Sequence, residues 1–291
     1  MATLRDIKSR IKGVKSTQQI TKAMKMVATA KLRRAQENVI NSRPYARKIW
    51  QLLSNLATEN DLSTSPFFVH KEVKNIALVV VTADRGLCGA FNSNIIKEAV
   101  KYFNEDLNNS KVKVQLFCVG KKGFDFFSKR NYNLYDKKLG LFSSIKYSDA
   151  LDISQKIISA YLDGTFDKVI IIYNEFKSII QQKIVIEQFL PITLVKEQTE
   201  KKNQPNYIYE PDQKSIFEYM LPKHLKAQIW RILLESNASE LGARMTAMDN
   251  ASTNAKELIR TLQLKYNRER QAAITKELLE IVAGANALKA S

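Results

Sequence analysis

The chain has 291 residues, 45% of them hydrophobic, with only 9 glycines and 6 prolines; this excludes a disordered chain and leaves room for one large domain or two ordinary ones. Two cysteines, Cys88 and Cys118, and two histidines, His70 and His224, stand far apart, which argues against a disulfide framework or a zinc site and for a reducing compartment. The net charge of +17 is uneven: residues 1–48 hold 13 Lys/Arg against Asp6 and Glu37, while 49–222 are nearly balanced, so the ends should meet something acidic.

From Thr3, a suitable N-cap, alternate steps of three and four residues pass through Leu4, Ile7, Ile11, Val14, Gln18, Thr21, Lys25, Ala28, Leu32, Ala35, Val39, Ser42, Ala46, Ile49, Leu53 and Leu56. Twelve of these sixteen are apolar and the register never slips, which predicts a coiled-coil helix over 1–58, roughly 80 Å long. Pro44 should kink it or locally remove a backbone hydrogen bond. The polar stretch Gln18, Thr21, Lys25 has two readings. It specifies register locally, or it leaves Ile20, Met24 and Val27, off the seam, to face a third body. The first 34 residues also have the basic, acid-poor character of a transit peptide, but the heptads continue past any cleavage point.

The middle, 74–195, differs in kind. Residues 76–82 read as a strand and 83–89 as a turn; 92–107 as a helix; 112–119 as a strand; 120–130 as turn and helix; 148–162 as a helix; 168–173 and 183–190 as strands. Alternating strands and helices predict a Rossmann-like α/β domain with a mainly parallel sheet. The turn Asp84-Arg-Gly-Leu-Cys-Gly89 stands where a phosphate loop would, but it is neither GxGxxG nor GxxxxGK[ST], and its glycines suit a tight reversal. Gly120-Lys-Lys-Gly123 is an anion site at a helix N-terminus or a solvated turn. Cys118 reads as a buried small hydrophobe. There is no Ser/His/Asp set, paired-carboxylate motif or HExxH. Residues 196–211 read as a polar loop. The longest apolar run, 76–81, is far short of a membrane span.

The C-terminal segment, 212–291, repeats the heptad theme. Leu234, Ala238, Leu241, Met245, Met248, Ser252, Ala255, Ile259, Leu262 and Tyr266 hold one register. Ile274, Leu278, Ile281, Ala285 and Leu288 hold another, shifted by one residue. Two long terminal helices pair antiparallel if the middle folds back on itself. The uncharged stretch 281–288 is a frayed terminus or a slim apolar plug for a sleeve in another protein.

These residues resemble a known family. The opening MATLRDIKSRIKGVKSTQQITKAMKMVA at 1–28, SRPYA at 42–46, TADRGLCG at 82–89, YEPD at 209–212, ARMTAM at 243–248 and YNRERQAAITKELLEIV at 266–282 are similar, in order, to stretches of F-type ATP synthase gamma subunits. The resemblance implies an α/β protein in which a long antiparallel coiled coil of the terminal helices sits inside a ring of three alpha and three beta subunits. The α/β domain would rest, with the epsilon subunit, on the membrane c-ring. The chain would be the rotor shaft, coupling proton-driven rotation to conformational changes of the beta subunits. It would have no catalytic residue, metal or cofactor of its own, since ATP and magnesium bind on alpha and beta. By motif position, Met24, Lys25 and Arg244 would lie near acidic loops of beta, Arg270, Gln271, Thr275 and Glu277 would contact beta loops higher up, and Ile281, Val282, Ala285 and Leu288 would occupy the sleeve. A start at the family's first helix points to a bacterial protein on the cytoplasmic face of the inner membrane, peripheral and held there through the complex. The absence of cysteines after Cys118 argues against thiol regulation.

Two other functions compete. A basic coiled-coil nucleic-acid binder fits the charge, but such proteins interleave aromatics with their cations, and Tyr45 is the only aromatic residue in the first 48. A Rossmann-type enzyme would need the phosphate motif that the middle domain lacks.

Overall fold

A computed structural model describes residues 3–57, 65–69, 71–104, 112–179, 181–193 and 209–290, the side chains of 287–290 excepted. The elements run α1 (Leu4–Leu56), β1 (Asn75–Val81), α2 (Phe91–Tyr102), β2 (Lys113–Val119), α3 (Lys121–Ser128), β3 (Leu134–Lys138), a 3-10 turn at Leu141–Ser143, α4 (Tyr147–Leu162), β4 (Lys168–Phe176), β5 (Gln182–Leu190) and α5 (Gln213–Ala290). They divide into two compact units, Met1–Ala28 with Met245–Ser291, and Thr29–Arg244. Most of the expected loop 196–211, and His70, lie outside the described residues.

The first unit is an antiparallel helix pair. Thr3 and Asp6 cap α1 reciprocally: the Asp6 amide donates to Thr3 Oγ1 at 3.3 Å and the Thr3 amide to Asp6 Oδ2 at 3.0 Å. Thr21 Oγ1 meets Ser252 Oγ at 2.7 Å, and Lys25 Nζ donates to Asp249 Oδ1 at 2.6 Å. The partner number falls as the α1 number rises, which sets the antiparallel sense. Every predicted α1 seam position in this unit is buried or half-buried, with Ile7 and Ala28 sealed. Facing them, Met248, Ala255, Ile259 and Leu262 are buried. The second heptad set is a different matter. Ile274, Leu278, Ile281 and Ala285 are exposed, because α1 begins at Leu4 and the register of the polar pairs leaves the last turns of α5 with no α1 residue opposite.

The second unit is built on a five-stranded sheet of order β3-β2-β1-β4-β5. β1 pairs parallel with β2 and β4, β2 parallel with β3, and β5 runs antiparallel to β4. The alternation of a strand explains the continuous apolar run of β1. Ala77, Val79 and Val81 pack on one face with α4 and with the 49–56 and 217–233 stretches of α1 and α5. Ile76, Leu78 and Val80 pack on the other with Ile95, Ile96 and Phe127 of α2 and α3. A strand covered on both faces has no polar side to show.

Neither helix proline breaks its helix. Pro44 lies inside α1 and Pro222 inside α5, each helix running on past its proline. Pro44 and Ile40, four residues before it, are both on the exposed side, where water satisfies the carbonyl that proline leaves free.

Candidate functional site

The strand-to-helix turn after β1 is closed by the chain itself. Asp84 Oδ1 accepts from the amides of Lys121 at 3.0 Å and Gly140 at 2.9 Å, and Oδ2 from the amide of Phe142 at 3.0 Å. The carboxylate thus occupies the N-terminus of α3, where an open α/β sheet would hold a phosphate. Beneath it the fit is tight. The buried Thr82 hydroxyl accepts from the Gly123 amide at 2.9 Å and donates to the Val119 carbonyl at 3.2 Å. A Cβ on Gly120, whose φ is +94°, would stand 1.9 Å from the Thr82 carbonyl oxygen, and one on Gly123 2.9 Å from its hydroxyl. The two glycines of the Gly-Lys-Lys-Gly stretch serve close packing, not an anion.

Cys118 is sealed in β2, where burial pushes its thiol up to about 12. Cys88 is buried in the turn, its thiol raised by burial and by the nearby Glu240 carboxylate, with Arg244 opposing. Among the described residues no group of three His, Cys, Asp or Glu is placed to hold a metal, and no helix is long and apolar enough to cross a membrane.

The predicted contact residues fall into three settings. Met24 is half-buried in the first unit; beside it Lys25 is bound to Asp249, while Ile20 and Val27 point outward. The polar break in the seam is therefore a paired layer, as the register reading expects, while the outward Ile20 and Val27 are what the third-body reading expects. Arg244 ends the second unit's share of α5. Its Nε donates to Glu240 Oε1 at 2.7 Å, its Nη2 to the same oxygen, and its Nη1 to the Gly86 carbonyl at 2.7 Å. Burial raises the Glu240 carboxyl and the Arg244 guanidinium opposes this. Arg244 thus ties α5 to the Asp-Arg-Gly turn. Arg270, Gln271, Thr275 and Glu277 are exposed on the last turns of α5, followed by exposed Ile281, Val282 and Ala285; the Leu288 side chain lies outside the described residues.

The sequence reading missed one cluster. Arg231 Nη2 bonds both oxygens of Glu187, at 3.2 and 3.1 Å, and its Nη1 donates to Tyr173 Oη at 3.1 Å. Arg43 reaches the buried Glu235 at 3.4 Å. The available signal was the pairs Arg231/Glu235 and Glu240/Arg244, four residues apart inside an otherwise uncharged and largely buried stretch, since charges there must find partners.

Comparisons with known proteins give a consistent answer. A family model described as ATP synthase matches residues 3–288. The ATP synthase gamma chain of Chlorobium phaeobacteroides is 53% identical over 292 residues, covering 99% of this chain and all of that one. Among solved structures, a chain in the central stalk and c-ring of the Tetrahymena thermophila mitochondrial ATP synthase is 26% identical. It superposes with a TM-score of 0.62, covering 80% of this chain and 99% of that one. A chain in the Euglena gracilis mitochondrial ATP synthase superposes with a TM-score of 0.70 at 21% identity, covering 99% of this chain and 95% of that one, a likeness of fold.

Proposed function

This chain belongs to the ATP synthase gamma-chain family, and we propose on that premise how its residues divide the work of a rotor. As a gamma chain it is a non-catalytic subunit, the central shaft that couples turning of the membrane c-ring to sequential changes in the beta subunits. Each beta site changes its nucleotide affinity according to the face of the shaft it meets, a population shift driven by differential contact. Asymmetry of surface is therefore the working property, and it must not slip.

The paired layer of Thr21 with Ser252 and Lys25 with Asp249 supplies that resistance. Sliding one helix along the other would separate both pairs and set Lys25 against an apolar seam, a cost in specificity that a wholly apolar seam lacks. Met24 and Lys25, and on the second unit Arg244, are assigned to the level of the acidic beta loops. Arg270, Gln271, Thr275 and Glu277 are assigned to a second ring of beta contacts, and Ile281, Val282, Ala285 and Leu288 to the sleeve above it. The domain assignment follows: 1–58 and 212–291 as shaft, 74–195 as the foot that bears on epsilon and the c-ring, 196–211 as a connecting loop. The protein is peripheral, and we place it on the cytoplasmic face of a bacterial inner membrane.

The observation that carries this reading is the last stretch of α5: exposed polar residues followed by an exposed apolar end, with nothing among the described residues to cover them. Co-expression of a tagged chain with its own alpha and beta subunits tests it. The expected outcome is a complex that hydrolyses ATP, a chain that does not hydrolyse ATP alone, and rotation of a bead attached to the foot. A chain that purifies without alpha and beta, or hydrolysis without rotation, overturns it.

A further inference from the structure

Four charged side chains meet inside the α/β unit, and they join two helices to two strands. Arg231 of α5 bonds both oxygens of Glu187 on β5, at 3.2 and 3.1 Å, and donates to Tyr173 Oη on β4 at 3.1 Å. Tyr173 Oη in turn donates to Glu187 Oε2 at 2.9 Å, and Gln228 Nε2 donates to Oε1 at 2.6 Å. Arg43 of α1 donates to Glu235 of α5 at 3.4 Å and to the Phe176 carbonyl of β4 at 3.0 Å. Arg231 also stands 3.6 Å from Glu235. The two cations and two carboxylates thus form one connected, charge-balanced network across α1, β4, β5 and α5.

Stability alone is a poor reason for this network. The Arg231 and Glu187 side chains are 21% and 27% exposed and that of Glu235 is 2% exposed. Taking charges that far out of water costs about as much as their attraction returns, and an apolar layer of the same volume would hold as well. Such a layer is already present, since Ile229, Ile232 and Leu233 share a core with Tyr173 and Phe189. Apolar contact follows buried area and has no preferred direction, so a helix can shift over a sheet at little loss. A charge-assisted fork resists the same shift, because it weakens steeply as its distances and angles change.

We propose that Arg231 and Arg43 are positioning residues that carry torque between the sheet and the two long helices of this unit. Arg231 locks α5 to β4 and β5, and Arg43 locks α1 to α5 and β4. A twist applied to the sheet then turns both helices without lag. The proposal rests on the rotor assignment and adds to it the point at which the twist passes from the foot to the helices.

Cys88 and Cys118 are 1% and 0% exposed, so a surface cysteine introduced into this chain and biotinylated before assembly gives a defined point for a bead. Lys129→Cys places the bead at the end of α3, on the face of the sheet away from α1 and α5, and Glu218→Cys places it directly on α5. In the complex with alpha and beta subunits, the angular variance of the bead is measured during the pauses at limiting ATP. The variant is Arg231→Met with Glu187→Met, which removes both charges and leaves neither alone. In the purified chain its Tm should stay within about 3 °C of the parent's. With the bead on α3 the variance should rise at least about twofold, and with the bead on α5 it should not change. Arg231→Lys, with a point charge in place of the fork, should give an intermediate variance on α3. An unchanged variance on α3, an equal rise at both attachments, or a variance that simply follows Tm across the variants overturns the proposal. Parent complexes that do not rotate at either attachment refute the rotor assignment itself.

Discussion

Ending the chain after Glu280 should leave its folding almost untouched while removing what makes it useful as a shaft. Ile281 and Val282 are 67% and 54% exposed, and Ala285 is exposed. Fully burying such a side chain contributes about 1.5–3 kcal/mol, but here little burial exists to lose. The terminal turns of a helix also contribute little by themselves. The expected cost is below about 0.5 kcal/mol, hence a Tm change under about 2 °C for a chain of this size. Leu262→Ala is the contrast. Leu262 is 8% exposed on the seam, and losing its side chain should cost about 2 kcal/mol and lower the Tm by about 4–8 °C. Both are read from the loss of helical circular dichroism on heating the purified chain. In the complex the order reverses: truncation should reduce torque in a bead-rotation assay more than Leu262→Ala does. If truncation lowers the Tm as much as Leu262→Ala, the end of α5 is covered within its own chain and the exposure argument fails.

Gly120→Ala should destabilise the α/β unit by more than about 3 kcal/mol, from the clash with Thr82 added to a positive φ; a chemical denaturation midpoint equal to the parent's contradicts this. A double-mutant cycle on Lys25 and Asp249, half-exposed at 38% and 53%, should give a coupling of about 0.5–1 kcal/mol that shrinks in high salt. A larger, salt-independent coupling would count against a solvated pair. His224 is lowered from 6.5 to about 4, by burial first. As pH falls the unfolded chain takes up its proton first, so the stability held by the neutral imidazole is present above about pH 6.5 and is lost between there and about pH 4. Between pH 7.5 and 5 the loss should be about 2 kcal/mol by urea unfolding, and His224→Phe should abolish that share. An unchanged pH slope in the variant would place the proton elsewhere.

Much of this protein was legible because two of its patterns are local and periodic. The heptads of α1 and of α5 up to Tyr266 state which side of each helix is covered, and the seam positions are all buried or half-buried. The apolar runs of β1, β2 and β4 announce strands, and their alternation with helices announces a mainly parallel sheet. β3 was invisible: Leu-Tyr-Asp-Lys-Lys has little apolar signal, and it becomes a strand by pairing with β2 at an edge.

The sequence by itself determined the elements, the polarity of their faces and, through several long motifs in order, the family. The tertiary structure alone decided which distant residues meet. Asp84 closes onto amides at 121, 140 and 142, Arg231 onto Glu187, and Lys25 onto Asp249. Periodicity reports how each residue faces its own helix or strand; a hydrogen bond between residues far apart in the chain depends on how those elements pack, and no local pattern records that distance.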